Sequence, residues 1–127
     1  MIPFLLFGSI FLFAQEGLSS DPDIRKAQIA VYREMRTRPG KDYDSTIGKE
    51  FQQKYVAVVR DCRKQANADQ SSFTMYVQFT KDGHVEAVLL DPAAPVDECI
   101  RKILLKDAFS PPPQPDFWVQ ITLQFRK

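Results

Sequence analysis

The sequence predicts an α+β domain: a three-stranded antiparallel sheet in the order 2-1-3, two helices packed on it, and an additional amino-terminal helix. Three observations predict it. Phe73, Met75, Val77 and Phe79 alternate with polar residues, and Asp82-Gly83 separates them from a second extended run, Val85 to Leu90. Phe117, Val119, Ile121, Leu123 and Phe125 alternate again near the end of the chain. Between and before these runs, apolar residues recur at steps of three and four, the period of a helix.

The elements follow in order. Asp21-Pro22-Asp23 is a helix start, because Asp21 can accept from orphan amides and Pro22 needs no amide partner in the first turn. Ile24, Ala27, Val31 and Met35 share one face of that first helix. Pro39-Gly40 reads as a turn that breaks the pattern from Thr37 to Asp44. A second helix starts near Ser45 or Thr46, with Ile47, Phe51, Tyr55, Val58 and Cys62 as its stripe. Asn67 to Ser71 connects it to the first strand. Asp82-Gly83 reads as a type I′ turn, which needs positive φ at both residues. The third helix begins at Pro95, with Val96, Cys99, Ile100, Ile103 and Leu104 as its apolar face.

Strand order follows from connection length. A helix between the second and third strands returns the chain to the same end, so those two run parallel. The third strand reaches the commoner antiparallel pairing only beside the first. Phe117 to Phe125 is then an edge, and nothing in it carries charge to blunt strand addition.

Composition excludes several classes of function. The chain has 127 residues, with 17 Lys and Arg against 16 Asp and Glu, a net charge of +1. That balance builds no field for nucleic acid. Arg33-Glu34-Met35-Arg36 and Arg60-Asp61-Cys62-Arg63-Lys64 mix signs and read as solvated helix faces. The one histidine, His84, sits beside the hairpin turn and lacks companions at metal-ligand spacing. Asp21 and Asp23, Asp42 and Asp44, and Asp97 and Glu98 read as helix starts, a polar loop and first-turn acids. No catalytic residue, cofactor or metal is expected, so the chain is not read as an enzyme. Pro111-Pro112-Pro113-Gln114-Pro115 reads as a rigid connector in preference to a polyproline ligand, because it lies inside one domain.

Residues 1–14 carry no charge, and the apolar run Ile2 to Phe13 is too short to span a bilayer, which takes about 20 residues. It reads as a signal peptide cut near Ala14-Gln15, the alternative being an uncleaved apolar tail. Residues 15–46 form the amino-terminal helix and linker, and 47–127 the sheet domain. No transmembrane span is expected in the mature chain. Export favours a disulfide between Cys62 and Cys99, the alternative being two buried thiols. Trp118 and Tyr76 fall on the opposite sheet face from the main apolar sets, where they meet either a partner or the first helix.

These spacings resemble the TonB C-terminal-like domains. The resemblance rests on the helix ending in Cys62, the Phe73–Leu90 hairpin, the helix with Cys99, the stretch Phe109-Ser110-Pro111-Pro112 and the terminal strand. It is greatest with the AgmX-type subgroup, which has cysteines at both positions, and covers roughly 47–125. It implies an exported module, periplasmic or at the cell envelope. Such a module would bind a protein segment by strand addition along Phe117, Trp118, Val119, Gln120, Ile121, Thr122, Leu123, Gln124 and Phe125. A homodimer through the same edge, acting as an envelope structural protein, is the alternative.

Overall fold

A computed structural model describes residues 4–7, 18–65, 73–91 and 96–124. The rest of the expected signal peptide, the loop Asn67–Ser71, the helix start at Pro95 and Phe125 lie outside them.

Helix α1 spans Pro22–Glu34. Asp21 caps it as expected: its carboxylate accepts from the amides of Asp23 and Ile24 at 2.9 and 3.2 Å. Helix α2 spans Arg38–Gln65, so the expected break from Thr37 to Asp44 is corrected. Thr37 is the cap of α2, accepting from the Gly40 amide at 3.0 Å, and Pro39 falls in the first turn where it has no bond to lose. The two helices therefore meet at a sharp corner. A Cβ on Gly40 would stand 1.8 Å from the Glu34 carbonyl oxygen, so only glycine fits there. The buried stripe of α2 runs Tyr43, Ile47, Phe51, Tyr55, Val59 and Cys62. Val59 takes the place expected for Val58, which is only partly buried.

Strands β2 (Phe73–Phe79) and β3 (Val85–Asp91) form the expected antiparallel hairpin. The turn is not type I′. Gly83 alone has positive φ, at 90°, and donates to the Thr80 carbonyl at 2.9 Å, while Thr80 donates to His84 at 2.8 Å. A three-residue loop closed by a left-handed glycine suits Lys81-Asp82-Gly83 without straining Asp82. Helix α3 spans Val96–Leu104. Among the side chains described in it, Ile100 and Leu104 are buried, one turn apart, whereas Ile103 rotates off that stripe and is 39% exposed, contrary to expectation.

Strand β4 (Phe117–Gln124) pairs antiparallel with β2, from Phe73 opposite Leu123 to Phe79 opposite Phe117. The three expected strands thus stand in the order 2-1-3. A fourth, β1 (Phe4–Phe7), adds outside β4, giving a four-stranded sheet β1-β4-β2-β3. On one face α2 and α3 close the main core over Met75, Val77, Phe79, Val119, Ile121 and Leu123. On the other face α1 lays Ile24, Ala27 and Val31 over Tyr76. The chain is a sheet between two helical layers. The Cys62–Cys99 disulfide ties α2 to α3 across a Cα separation of 5.6 Å. Among the described residues no helix is long and apolar enough to cross a membrane.

Candidate partner-binding edge

The pleat of β4 divides its residues between two environments. Phe117, Val119, Ile121 and Leu123 are buried in the α2–α3 core. Trp118, Gln120 and Thr122 face the α1 layer. Trp118 packs partly buried against the Ile24, Ala27, Val31 and Tyr76 cluster, so of the two environments open to Trp118 and Tyr76, the first helix is the occupied one. Tyr76 is buried; desolvation pushes its hydroxyl pKa up, against a hydrogen bond from the Gln28 side chain. Gln120 stands opposite Tyr76 and is 4% exposed. Its Nε2 has no hydrogen-bond partner among the described residues. The Thr74 and Thr122 hydroxyls meet across the strands at 3.4 Å.

The outer side of β4 is not a free edge along its whole length. Phe4 is paired with Gln124, Leu5 with Leu123, Leu6 with Thr122 and Phe7 with Ile121. The expectation of an open edge over Phe117–Phe125 is corrected to this extent: residues 121–123 lie between β1 and β2, and Gln124 is paired with Phe4 of β1. Among the described residues, 117–120 have a strand partner only on the β2 side. Sequence reasoning missed β1 because a short apolar run has the same composition in a leader and in a buried strand. Phe4-Leu5-Leu6-Phe7 was the signal, and four consecutive apolar residues do not by themselves choose between the two.

What aims β4 is the connector from Asp107 to Asp116. Its start is held by the hairpin: Phe109 donates to the Gly83 carbonyl at 2.8 Å, and His84 bridges Ala108. Helix α2 holds the next residues. The Ser110 amide and hydroxyl both donate to the Glu50 carboxylate, the amide at 3.1 Å, and Tyr43 donates to the Ser110 carbonyl at 2.7 Å. Beyond the prolines, Gln114 Nε2 donates to Glu34 Oε1 at 2.5 Å. Asp116 then turns the chain into β4 through a left-handed φ of 55°, a conformation Asp tolerates. Pro111 to Pro115 is thus pinned at both ends, as a connector would be.

The titratable groups near the site serve this scaffold. Tyr55 donates to Asp107 Oδ2 at 2.5 Å, and Lys54 donates to the Ala108 carbonyl at 3.2 Å. Burial raises the Asp107 pKa, but the bonds from Tyr55, the Ala108 amide and Lys54 outweigh it and hold the carboxyl below its ordinary value. Burial, with the nearby Glu50 charge, pushes the Tyr43 pKa up, and burial with the Asp107 bond does the same for Tyr55. Burial raises Glu34 as well, against the Arg33 charge and the Gln114 bond. In α2, Asp44 is buried, and desolvation pushes its pKa up to about 6. His84 is exposed at the hairpin, and both cysteines are joined to each other, so no thiol stands ready as a nucleophile. Among the described residues no three His, Cys, Asp or Glu side chains gather as metal ligands.

No family model, curated protein or solved structure matches this chain.

Proposed function

We propose that the chain is an exported, non-enzymatic interaction module that binds a protein segment by strand addition on the outer side of β4. The observation that carries this reading is the pairing of β1 with β4. A segment distant in sequence lies antiparallel on that edge through four consecutive residue pairs, Phe4–Gln124 to Phe7–Ile121. The edge therefore has the geometry to receive a strand, with main-chain bonds supplying affinity and alternate side-chain positions supplying selectivity. In the precursor its own leader fills this place; after cleavage near Ala14 the place is open to a partner. The resemblance to TonB C-terminal-like domains supports the same edge, and the disulfide suits an oxidising compartment such as the periplasm.

The test uses the full chain carrying Leu5→Pro and Leu6→Pro together, which removes both amides and with them whichever of the two bonds β4. A synthetic peptide containing Phe-Leu-Leu-Phe between lysines is then titrated against it. The expected result is one-to-one binding to the variant, exclusion by the unmodified chain, and loss of binding when the peptide amides are N-methylated. Equal binding of the N-methylated peptide, or no binding at all, rejects strand addition at this site. Self-association of the variant without peptide identifies a second copy as the occupant.

A further inference from the structure

We infer that the outward face of α1 is a docking surface for a bilayer with anionic headgroups. The inference is independent of the β4 edge. Ile24, Ala27 and Val31 turn one stripe of α1 onto the sheet. The positions opposite that stripe on the helical wheel are Arg25, Ile29 and Tyr32, with Lys26 and Arg33 beside them and Arg36 two residues past the helix end; Arg25 is half-exposed and its guanidinium donates to the Ser19 carbonyl at 3.1 Å. Ile29 and Tyr32 are 47% and 55% exposed, large apolar side chains at the centre of a solvent-facing helix surface. The Arg36 guanidinium lies 6.0 Å from the Tyr32 ring centroid.

From the sequence, Arg33-Glu34-Met35-Arg36 reads as a solvated face of mixed sign. The fold corrects that reading. Glu34 is only 3% exposed and turns inward, where Gln114 donates to its carboxylate. With that carboxylate withdrawn, the outward face shows four cations around two apolar side chains and no acid. Among the described residues the ion pairs are Lys54–Asp107 and Arg101–Glu98, neither of them on this face. An apolar centre with a basic surround is the arrangement that rests at a lipid interface: Ile and Tyr enter the headgroup boundary while long basic stems reach the phosphates. A merely solvated helix would not place its two most apolar exposed side chains at the middle of its charged face. A flat acidic protein would satisfy the cations but not the apolar pair.

The experiment is vesicle flotation of the full chain. Vesicles of phosphatidylcholine mixed with phosphatidylglycerol are compared with phosphatidylcholine alone, at low and high ionic strength. Binding is expected on the mixed vesicles and to fall with added salt. Arg33→Glu with Arg36→Glu should lower the partition coefficient about tenfold or more, since each basic residue near an anionic surface contributes a several-fold factor. Ile29→Ser with Tyr32→Ser should lower it by a further, salt-insensitive factor. All four side chains are exposed, so circular dichroism should register no loss of fold. Equal binding to neutral vesicles, unchanged by either pair, would assign the affinity to the apolar amino-terminal residues and overturn the inference. Absence of binding to the mixed vesicles overturns it as well. Either failure leaves the strand-addition reading standing, because no tested side chain belongs to β1 or β4.

Discussion

Phe7 and Ile121 come from opposite ends of the chain and are direct partners in the β1–β4 ladder. Ile121 is also the partner of Met75 on its other side, so β4 is internal at this point. Residues of an antiparallel strand alternate in which neighbour they bond. One of Leu5 and Leu6 therefore donates its amide to β4 and the other does not. Single Leu5→Pro and Leu6→Pro variants should separate the two cases. One should raise hydrogen exchange at the outward amides of residues 121–124 about tenfold or more; the other should leave them protected. Exchange at those amides that is the same in both variants and in the unmodified chain would show that β1 does not hold that edge.

Cleavage of the Cys62–Cys99 bond should cost stability without dissolving the core. The bond closes a loop with a sequence separation of 37, for which chain entropy gives roughly 3.5–4 kcal/mol. In a domain of this size that lowers the melting temperature by on the order of 10 °C. Calorimetry with and without dithiothreitol reads the shift. A Cys62→Ala, Cys99→Ala variant should melt near the reduced protein and no longer respond to reductant.

Asp44 supplies a pH dependence of known sign. Its carboxyl has an unfolded value near 3.8 and a folded value of about 6, because burial disfavours the charged form. The folded state holds the proton more tightly. The resulting stability is complete below the unfolded value and is lost as pH rises through the folded one. Asp44→Asn should therefore stabilise the protein at pH 7.5 by about 2–3 kcal/mol and change little below the unfolded value. Thermal melts across that range measure the difference, and an Asn variant that is no more stable at neutral pH would contradict it.

Gly40→Ala and Gly83→Ala should both destabilise, for different reasons. In an ordinary first helical turn, alanine would be favoured over glycine by roughly 1 kcal/mol. At position 40 the new Cβ meets the Glu34 carbonyl oxygen at 1.8 Å, so the α1–α2 corner must open. At position 83 the Cβ meets the Phe109 carbonyl oxygen at 2.1 Å, and φ of 90° excludes an unstrained alanine. Each should lose about 2 kcal/mol or more in denaturant melts. A Gly40→Ala protein as stable as the parent would mean the corner is looser than described.

The features that depend on local period and turn chemistry were legible in the amino-acid sequence. Alternation at Phe73–Phe79 and Phe117–Leu123 identified two strands and their core faces, because side chains on a strand repeat every second residue. The short hairpin and the long helical return then left one antiparallel order for three strands. Two cysteines allowed a single intramolecular pair. Asp21-Pro22 read correctly as a helix start for the same local reason.

What needed the tertiary structure were the features in which one local signal serves two purposes. Pro39-Gly40 can make a turn or open a helix; the Thr37 cap and the Glu34 carbonyl beside Gly40 decide for the helix. Glu34 reads as a surface charge until the fold buries it and Gln114, far along the chain, donates to its carboxylate. Trp118 and Tyr76 could have faced a partner until α1 was laid across them. Phe4–Phe7 carries the composition of a leader and of a strand alike, and only the unmatched backbone groups of β4 give it a place in the sheet. Periodicity fixes which way a side chain points along its own element. It does not fix what arrives on the other side, because that depends on contacts between residues far apart in the chain.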